Sequence, residues 1–233
     1  MTPAALAITG LTKDYRGLRP LRIQQLSVAA DETVAVLGFD QASAEVFVNL
    51  VTGATLPDTG SVHVFGLETS SIADGTAWLQ TLDRFGIVTE RAVLLDQLTV
   101  IQNLAIPFTL EVEPPSDEVR HAAEAIAREV GLPEACWPAA VATLDADGRA
   151  RLRLGRALAA KPSLLLLEHV SAGLPRPAAM KLGDDIRRIA AARRIAALAA
   201  TADEPFARSV AERVLKLEAA SGRLAEHRRR WFG

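Results

Sequence analysis

Four consecutive leucines, Leu164 to Leu167, constrain this chain more than any other feature. A strand that is apolar at every position has no face for water, so it must lie inside a sheet covered on both sides. Residues 195–200 form a second run of this kind. Between the two, residues 178–192 are rich in Ala, Arg and Ile at helical spacing, and a helix near 205–212 and a strand at 214–217 follow. Alternation of helices with fully apolar strands predicts a parallel α/β core.

The front of the chain is different. Residues 6–12, 21–28 and 33–37 are read as short strands separated by polar or glycine-containing turns. A helix is expected over 44–51, closed by Gly53, and Pro57-Asp58-Thr59-Gly60 forms a turn before a strand at 61–65. Residues 100–106, 116–130 and 147–160 carry helical spacing broken by Pro107, Pro114-Pro115 and Pro133. This predicts a mainly helical subdomain, residues 97–160, inserted within a single domain of residues 1–233. With 233 residues, 49% of them hydrophobic and 23% charged, the chain can bury a core of that size.

Charge and special residues narrow the function classes. A net charge of -2 argues against a general nucleic-acid binder, although His227-Arg228-Arg229-Arg230-Trp231 is a local basic cluster that suits a solvated tail or a phosphate contact. The single cysteine, Cys136, has no internal disulfide partner and is expected as a buried thiol beside Trp137. The N-terminal residues lack the pattern of a signal peptide, and no uninterrupted apolar run reaches the roughly 18 residues of a membrane span. A cytoplasmic chain is expected, peripheral to a membrane only through partners. The four histidines show no metal-ligand spacing, so no metal site is expected.

The strand at 33–37 leads through Gly38-Phe39-Asp40-Gln41-Ala42-Ser43-Ala44-Glu45-Val46 into a helix, the place of a phosphate-binding loop. Such a loop needs small residues whose amides surround phosphate, a lysine for the outer phosphates and a hydroxyl for magnesium. Here only Gly38 remains, Ala44 stands at the lysine position and Glu45 at the hydroxyl position. Taken alone, the segment is an ordinary strand-to-helix turn.

Order along the chain adds more. From Leu6 to Leu224 the sequence resembles the ATP-binding cassette family of ABC transporters, segment by segment. Gly10-Leu11-Thr12-Lys13-Asp14-Tyr15 is similar to the family's opening, whose aromatic stacks on adenine. Asn49-Leu50-Val51-Thr52-Gly53, Val64-Phe65-Gly66 and Leu98-Thr99-Val100 with Asn103-Leu104 and Pro107 follow in the family's order. Arg156-Ala157-Leu158-Ala159, Pro162 and the leucine run match the passage after its signature.

The resemblance also assigns the polar positions. Phe85-Gly86-Ile87-Val88-Thr89-Glu90 resembles the Q-loop with Glu90 at its glutamine, and Leu144-Asp145-Ala146-Asp147-Gly148-Arg149 stands for the signature, where Asp145 and Asp147 would repel triphosphate. Glu168 keeps a carboxylate at the metal position, His169 replaces the catalytic glutamate, Pro175 the D-loop aspartate and Ala202 the switch histidine. His169 remains a conceivable base near neutral pH.

The resemblance implies an α/β, P-loop NTPase-like fold: a mixed and parallel sheet core, an N-terminal antiparallel β region and a helical subdomain. It implies a subunit that docks on transmembrane subunits, near Glu90 and residues 93–106, and pairs with a second cassette. Each ATP site in the family joins one subunit's phosphate loop to the other's signature, and here both are altered. No catalytic residue is expected intact, and ATP with magnesium is expected at most weakly. Two alternatives stand beside this: a subunit that still binds ATP weakly without hydrolysis, carried by Tyr15, Gly38 and Glu168, and a soluble protein reusing the fold.

Overall fold

The computed structural model describes residues 4–227. Six strands form one sheet in the order β10-β9-β3-β8-β7-β6, and four form a second in the order β2-β1-β4-β5. In the first sheet β3 (Thr33–Leu37), β6 (Phe85–Thr89), β7 (Leu164–Glu168), β8 (Ala196–Thr201) and β9 (Arg213–Glu218) run parallel, with β10 (Arg223–Glu226) antiparallel at the edge. In the second, β1 (Ala4–Lys13) pairs antiparallel with β2 (Leu21–Ala29) and β4 (Thr59–Val64), and β4 with the short β5 (Leu67–Glu68).

The leucine run explains why the sheets stack. Leu164 and Leu166 pack with Val34, Val36 and the inner face of the antiparallel sheet, while Leu165 and Leu167 pack with helices on the opposite face. Each is at most 1% exposed. Successive side chains alternate faces, so a strand covered on both sides must be apolar throughout. Each such leucine contributes roughly 1.5–3 kcal/mol of hydrophobic stabilisation.

α1 (Gln41–Val51) lies on the face shared with the antiparallel sheet. The other face is covered by α5 (Ala146–Ala159), α6 (Arg176–Arg193) and α7 (Glu204–Val210), with α3 (Val100–Ala105) and α4 (Asp117–Glu129) packed on α5. Gly155 permits the close approach of α3 and α4 to α5, because a Cβ there would lie 2.7 Å from Leu104 Cδ2 and 3.0 Å from Ile126 Cγ2.

Several elements differ from the sequence reading. α1 starts at Gln41 rather than 44, because Asp40 and Ser43 form a reciprocal cap that begins the helix one turn earlier. α2 (Gly75–Leu82) is a short, largely exposed helix started by Asp74, whose Asp-Gly pair has the look of a turn. β10 is an edge strand with no buried stripe for the pattern to report. Cys136 is half-buried rather than buried, lying at the margin of the helical core. Of the basic cluster, only His227 falls among the described residues, where its N–H donates to Val214 O at 2.8 Å; residues 228–231 lie outside them. Among the described residues no helix is long and apolar enough to cross a membrane.

Candidate functional site

The parallel register brings the carboxyl ends of four strands together. Thr89 pairs with Glu168, Glu168 with Ala200, and Leu37 with Thr201. Ligands in open α/β sheets bind outside such an edge, and the polar residues of interest gather there.

Immediately after β3, Gly38 has φ +104°, and a Cβ on it would lie 2.9 Å from Leu217 O, so only glycine suits the turn. Phe39 is drawn into the core against Phe47, with ring centroids 4.9 Å apart. Asp40 then caps α1. Its Oδ1 accepts from Ser43 N at 2.8 Å and from Ser43 Oγ at 2.6 Å, while Ser43 Oγ accepts from Asp40 N at 3.0 Å. The Ser43 hydroxyl, and then its amide, hold the Asp40 carboxyl below the ordinary carboxylate range. The positive end of the helix is thereby satisfied by an anion of the chain itself. Tyr15 sits beside this cap: partial burial raises its phenol pKa, the Asp40 charge adds to the rise, and a hydrogen bond with Ser43 opposes it.

One turn into α1, Ala44 is fully buried and Val46 packs at the core margin, whereas Glu45 faces the cleft. There it meets Arg91. The Arg91 guanidinium donates from Nη1 to Glu45 Oε1 at 2.8 Å, from Nη2 to Glu168 Oε2 at 2.6 Å and from Nε to Glu168 Oε1 at 3.2 Å. Gln41 Nε2 adds a fourth donor, to Glu168 Oε1 at 3.0 Å. The Glu168 side chain is 0% exposed, while those of Arg91 and Glu45 are 41% and 43% exposed. The hydrogen bonds to Glu168 raise the Arg91 pKa above its usual value, against the effect of partial burial. A bidentate guanidinium on a buried carboxylate is among the stronger charge-assisted arrangements.

His169 follows Glu168 in a left-handed conformation, φ +46°, with its N–H donating to Ala200 O at 3.1 Å. Its ring Nε2 is buried and has no hydrogen-bond partner among the described residues. A non-glycine residue held at positive φ is a local strain of the order of 1–3 kcal/mol. Ala202 is exposed at the end of β8, and the next residue, Asp203, caps α7 through Phe206 N at 3.1 Å. Pro175 precedes the first turn of α6.

Asp145 and Asp147 lie at the start of α5. Asp145 caps α5, accepting from Gly148 N at 2.8 Å, with Ala146 as the first helical residue. Asp147 turns inward to Arg151, whose Nε donates to its Oδ2 at 2.9 Å. Arg151 is 3% exposed and also donates to Asp185 Oδ2 at 2.9 Å and Val130 O at 2.7 Å. One of these carboxylates thus closes a helix and the other pairs with a buried arginine. A cavity of about 270 Å³ lies beside this helix end, lined by Glu90, Ala146, Arg149, Arg153 and Ala172. Glu90 is exposed on its rim, its charge close to Arg153, whose pKa is lowered by burial and partly restored by Glu90.

The structure brings Gly38, Glu45, Glu168 and His169 to one strand edge, with Tyr15 beside them, and adds Arg91, Gln41 and the Asp40–Ser43 cap, which the sequence reading did not single out. The cap was readable, as two small polar residues three apart before an apolar helix. Arg91 gave no signal, being one basic residue beside Glu90.

A parallel sheet whose carboxyl edge gathers a strand–glycine–helix turn, an acidic strand end and the start of a second helix, with an antiparallel sheet stacked beneath, defines a nucleotide-binding cassette architecture. Over 225 residues the chain is 31% identical to the aliphatic sulfonates import ATP-binding protein SsuB 1 of Rhizobium johnstonii, covering 96% of this chain and 76% of that protein. It is 30% identical over 208 residues to the methionine import ATP-binding protein MetN of Brucella abortus, covering 88% of this chain but 54% of the relative, so the chain spans about half that protein's length. The chain belongs to the ATP-binding cassette family of ABC transporters. Among solved structures, cbiO1 of Clostridium perfringens, part of the ABC transporter complex cbiONQ, superposes with a TM-score of 0.80 at 18% identity, covering 95% of this chain and 87% of that one. No protein-family model matches the chain.

Proposed function

We propose that this chain is a degenerate cassette subunit that docks on transmembrane transporter subunits and on a second cassette, and acts by shape without hydrolysing ATP. The observation that carries this reading is the Arg91 guanidinium lying between Glu45 and Glu168. These are the positions at which a working cassette would present a hydroxyl and a carboxylate to magnesium. A divalent ion needs near-octahedral oxygen ligands with room for water, and the residues as placed do not suit it. Among the described residues no group of three or more His, Cys, Asp and Glu is arranged to hold a metal.

Two further observations support the reading. Asp40 places a carboxylate on the helix end where phosphate would bind, and a like-charge pair about 4 Å apart costs on the order of 4 kcal/mol at an effective dielectric near 20. Asp145 does the same at α5, the signature helix. Residues 97–160 are the helical subdomain in this reading, and exposed Val93 and Leu95 beside them form part of the docking surface. A peripheral position on the cytoplasmic side of the membrane follows from that docking, in keeping with cbiO1 as part of the ABC transporter complex cbiONQ.

Calorimetric titration of the full chain, and of its complex with co-purified membrane subunits and second cassette, with Mg-ATP should show no binding by this chain's motifs. Micromolar affinity for the isolated chain, or turnover abolished by Glu168→Gln, would overturn the proposal.

A further inference from the structure

We propose that Arg91 is the resident cation of this site: it neutralises Glu45 and Glu168 in place of a divalent ion, and so pins residues 90–98 to the sheet without nucleotide or metal. The inference rests on the reading above that magnesium does not occupy this place, and extends it from loss of chemistry to a mechanical role.

The segment after β6 is fastened on its far side by a row of arginines. Arg149, Arg153 and Arg156, spaced four and three residues apart, lie on one face of α5. Arg153 donates to Glu90 O and Ala92 O, each at 3.3 Å, and Arg156 to Val93 O at 2.6 Å. Arg149 pairs with Asp96 Oδ1 at 2.9 Å, and Asn103 clasps Leu95, accepting from its N–H at 2.9 Å and donating to its O at 3.0 Å. All of these contacts tie the loop to the helical side.

Arg91 alone among these side chains reaches back across the edge, to a carboxylate at the end of β7 and another on α1. The same residue therefore cross-links its loop to the sheet and the first helix. A cation that arrives and leaves would make the loop's position depend on ligand; a covalently attached one does not. Loss of Arg91 should free the loop on the sheet side and leave Glu45 and Glu168 facing each other with Gln41, two carboxylates positioned to attract a divalent ion.

The test compares the full-length chain with Arg91→Gln and Arg91→Lys, each verified as folded by circular dichroism, without nucleotide. Hydrogen exchange of amides 90–98 should be about tenfold faster in Arg91→Gln than in the parent chain and intermediate in Arg91→Lys. Manganese, followed by its electron paramagnetic resonance signal, should be taken up by Arg91→Gln at about 0.1–1 mM, and not by the parent chain or by Arg91→Gln combined with Glu168→Gln. Unchanged exchange in folded Arg91→Gln, or equal manganese uptake by the parent chain, would overturn the assignment. The proposed absence of hydrolysis is tested separately by turnover, so turnover with the loop effect intact would sink that reading and leave the cross-link standing.

Discussion

Replacing Arg91 by methionine should cost the fold about 2 kcal/mol at neutral pH, and the geometry shows why the loss is neither trivial nor maximal. The pair with Glu45 joins side chains 41% and 43% exposed, and such exposed pairs contribute roughly 0–1 kcal/mol. The partner that matters is Glu168, whose side chain is 0% exposed. Removing one member of a fully buried pair costs about 3–5 kcal/mol, because the other charge stays behind in a poor solvent. Arg91 is itself partly exposed, so water can enter the vacated space, and Gln41 Nε2 remains on Glu168 at 3.0 Å. Both lower the figure to about 2 kcal/mol. In a chain of this length that corresponds to a fall of about 4–8 °C in Tm. Thermal unfolding of the parent, Arg91→Met, Glu168→Gln and the double variant should show the double variant more stable than the sum of the two losses, since removing both charges leaves none unpaired. A Tm for Arg91→Met within about 1 °C of the parent, or strict additivity in the double variant, would refute the cross-link as a stabilising element.

Three other outcomes follow from the site. Asp40→Ala should lose the α1 cap and about 1 kcal/mol at neutral pH, measured by urea unfolding. Because the folded-state pKa of Asp40 is depressed, its stabilisation is present above the ordinary carboxylate range and disappears as pH falls through the folded value. Parent and variant should therefore converge in acid, and a difference that persists there would contradict the charge argument. Arg151→Met should cost about 3 kcal/mol in the same assay, since it strands Asp147 and Asp185 beside a 4% exposed side chain; a loss below about 1 kcal/mol would show that neither carboxylate depends on it. Glu45→Thr, which returns a hydroxyl to α1, should remain silent with Mg-ATP by calorimetry while Arg91 still holds Glu168, and micromolar binding would mean that Arg91 yields the place readily.

The frame of this protein was legible in its sequence because burial writes itself into local patterns. Leu164 to Leu167 and the apolar run ending at Ala200 announce strands covered on both faces, and β7 and β8 formed there. The turn at Gly38 read as an ordinary strand-to-helix turn, and its φ of +104° with Leu217 O close by showed why glycine stands there. Helical spacing over residues 116–130 marked α4. Elements without a buried stripe, α2 and β10, left no such record.

For the chemistry of the site the sequence offered only what the resemblance implies, with Ala44 expected at a lysine position, Glu45 at a hydroxyl position and His169 at a glutamate position. What surrounds those residues depended on tertiary structure. Arg91 is 46 residues from Glu45 and 77 from Glu168, and no local spacing relates them. The parallel register that sets Thr89 beside Glu168 brings the next two residues to the same edge, and α1 rises from the neighbouring turn after β3. An ion pair acts through space over a few ångströms. Sequence alone therefore determined that carboxylates stand at positions 45 and 168, and only the parallel register of the strands decided that an arginine pairs with both.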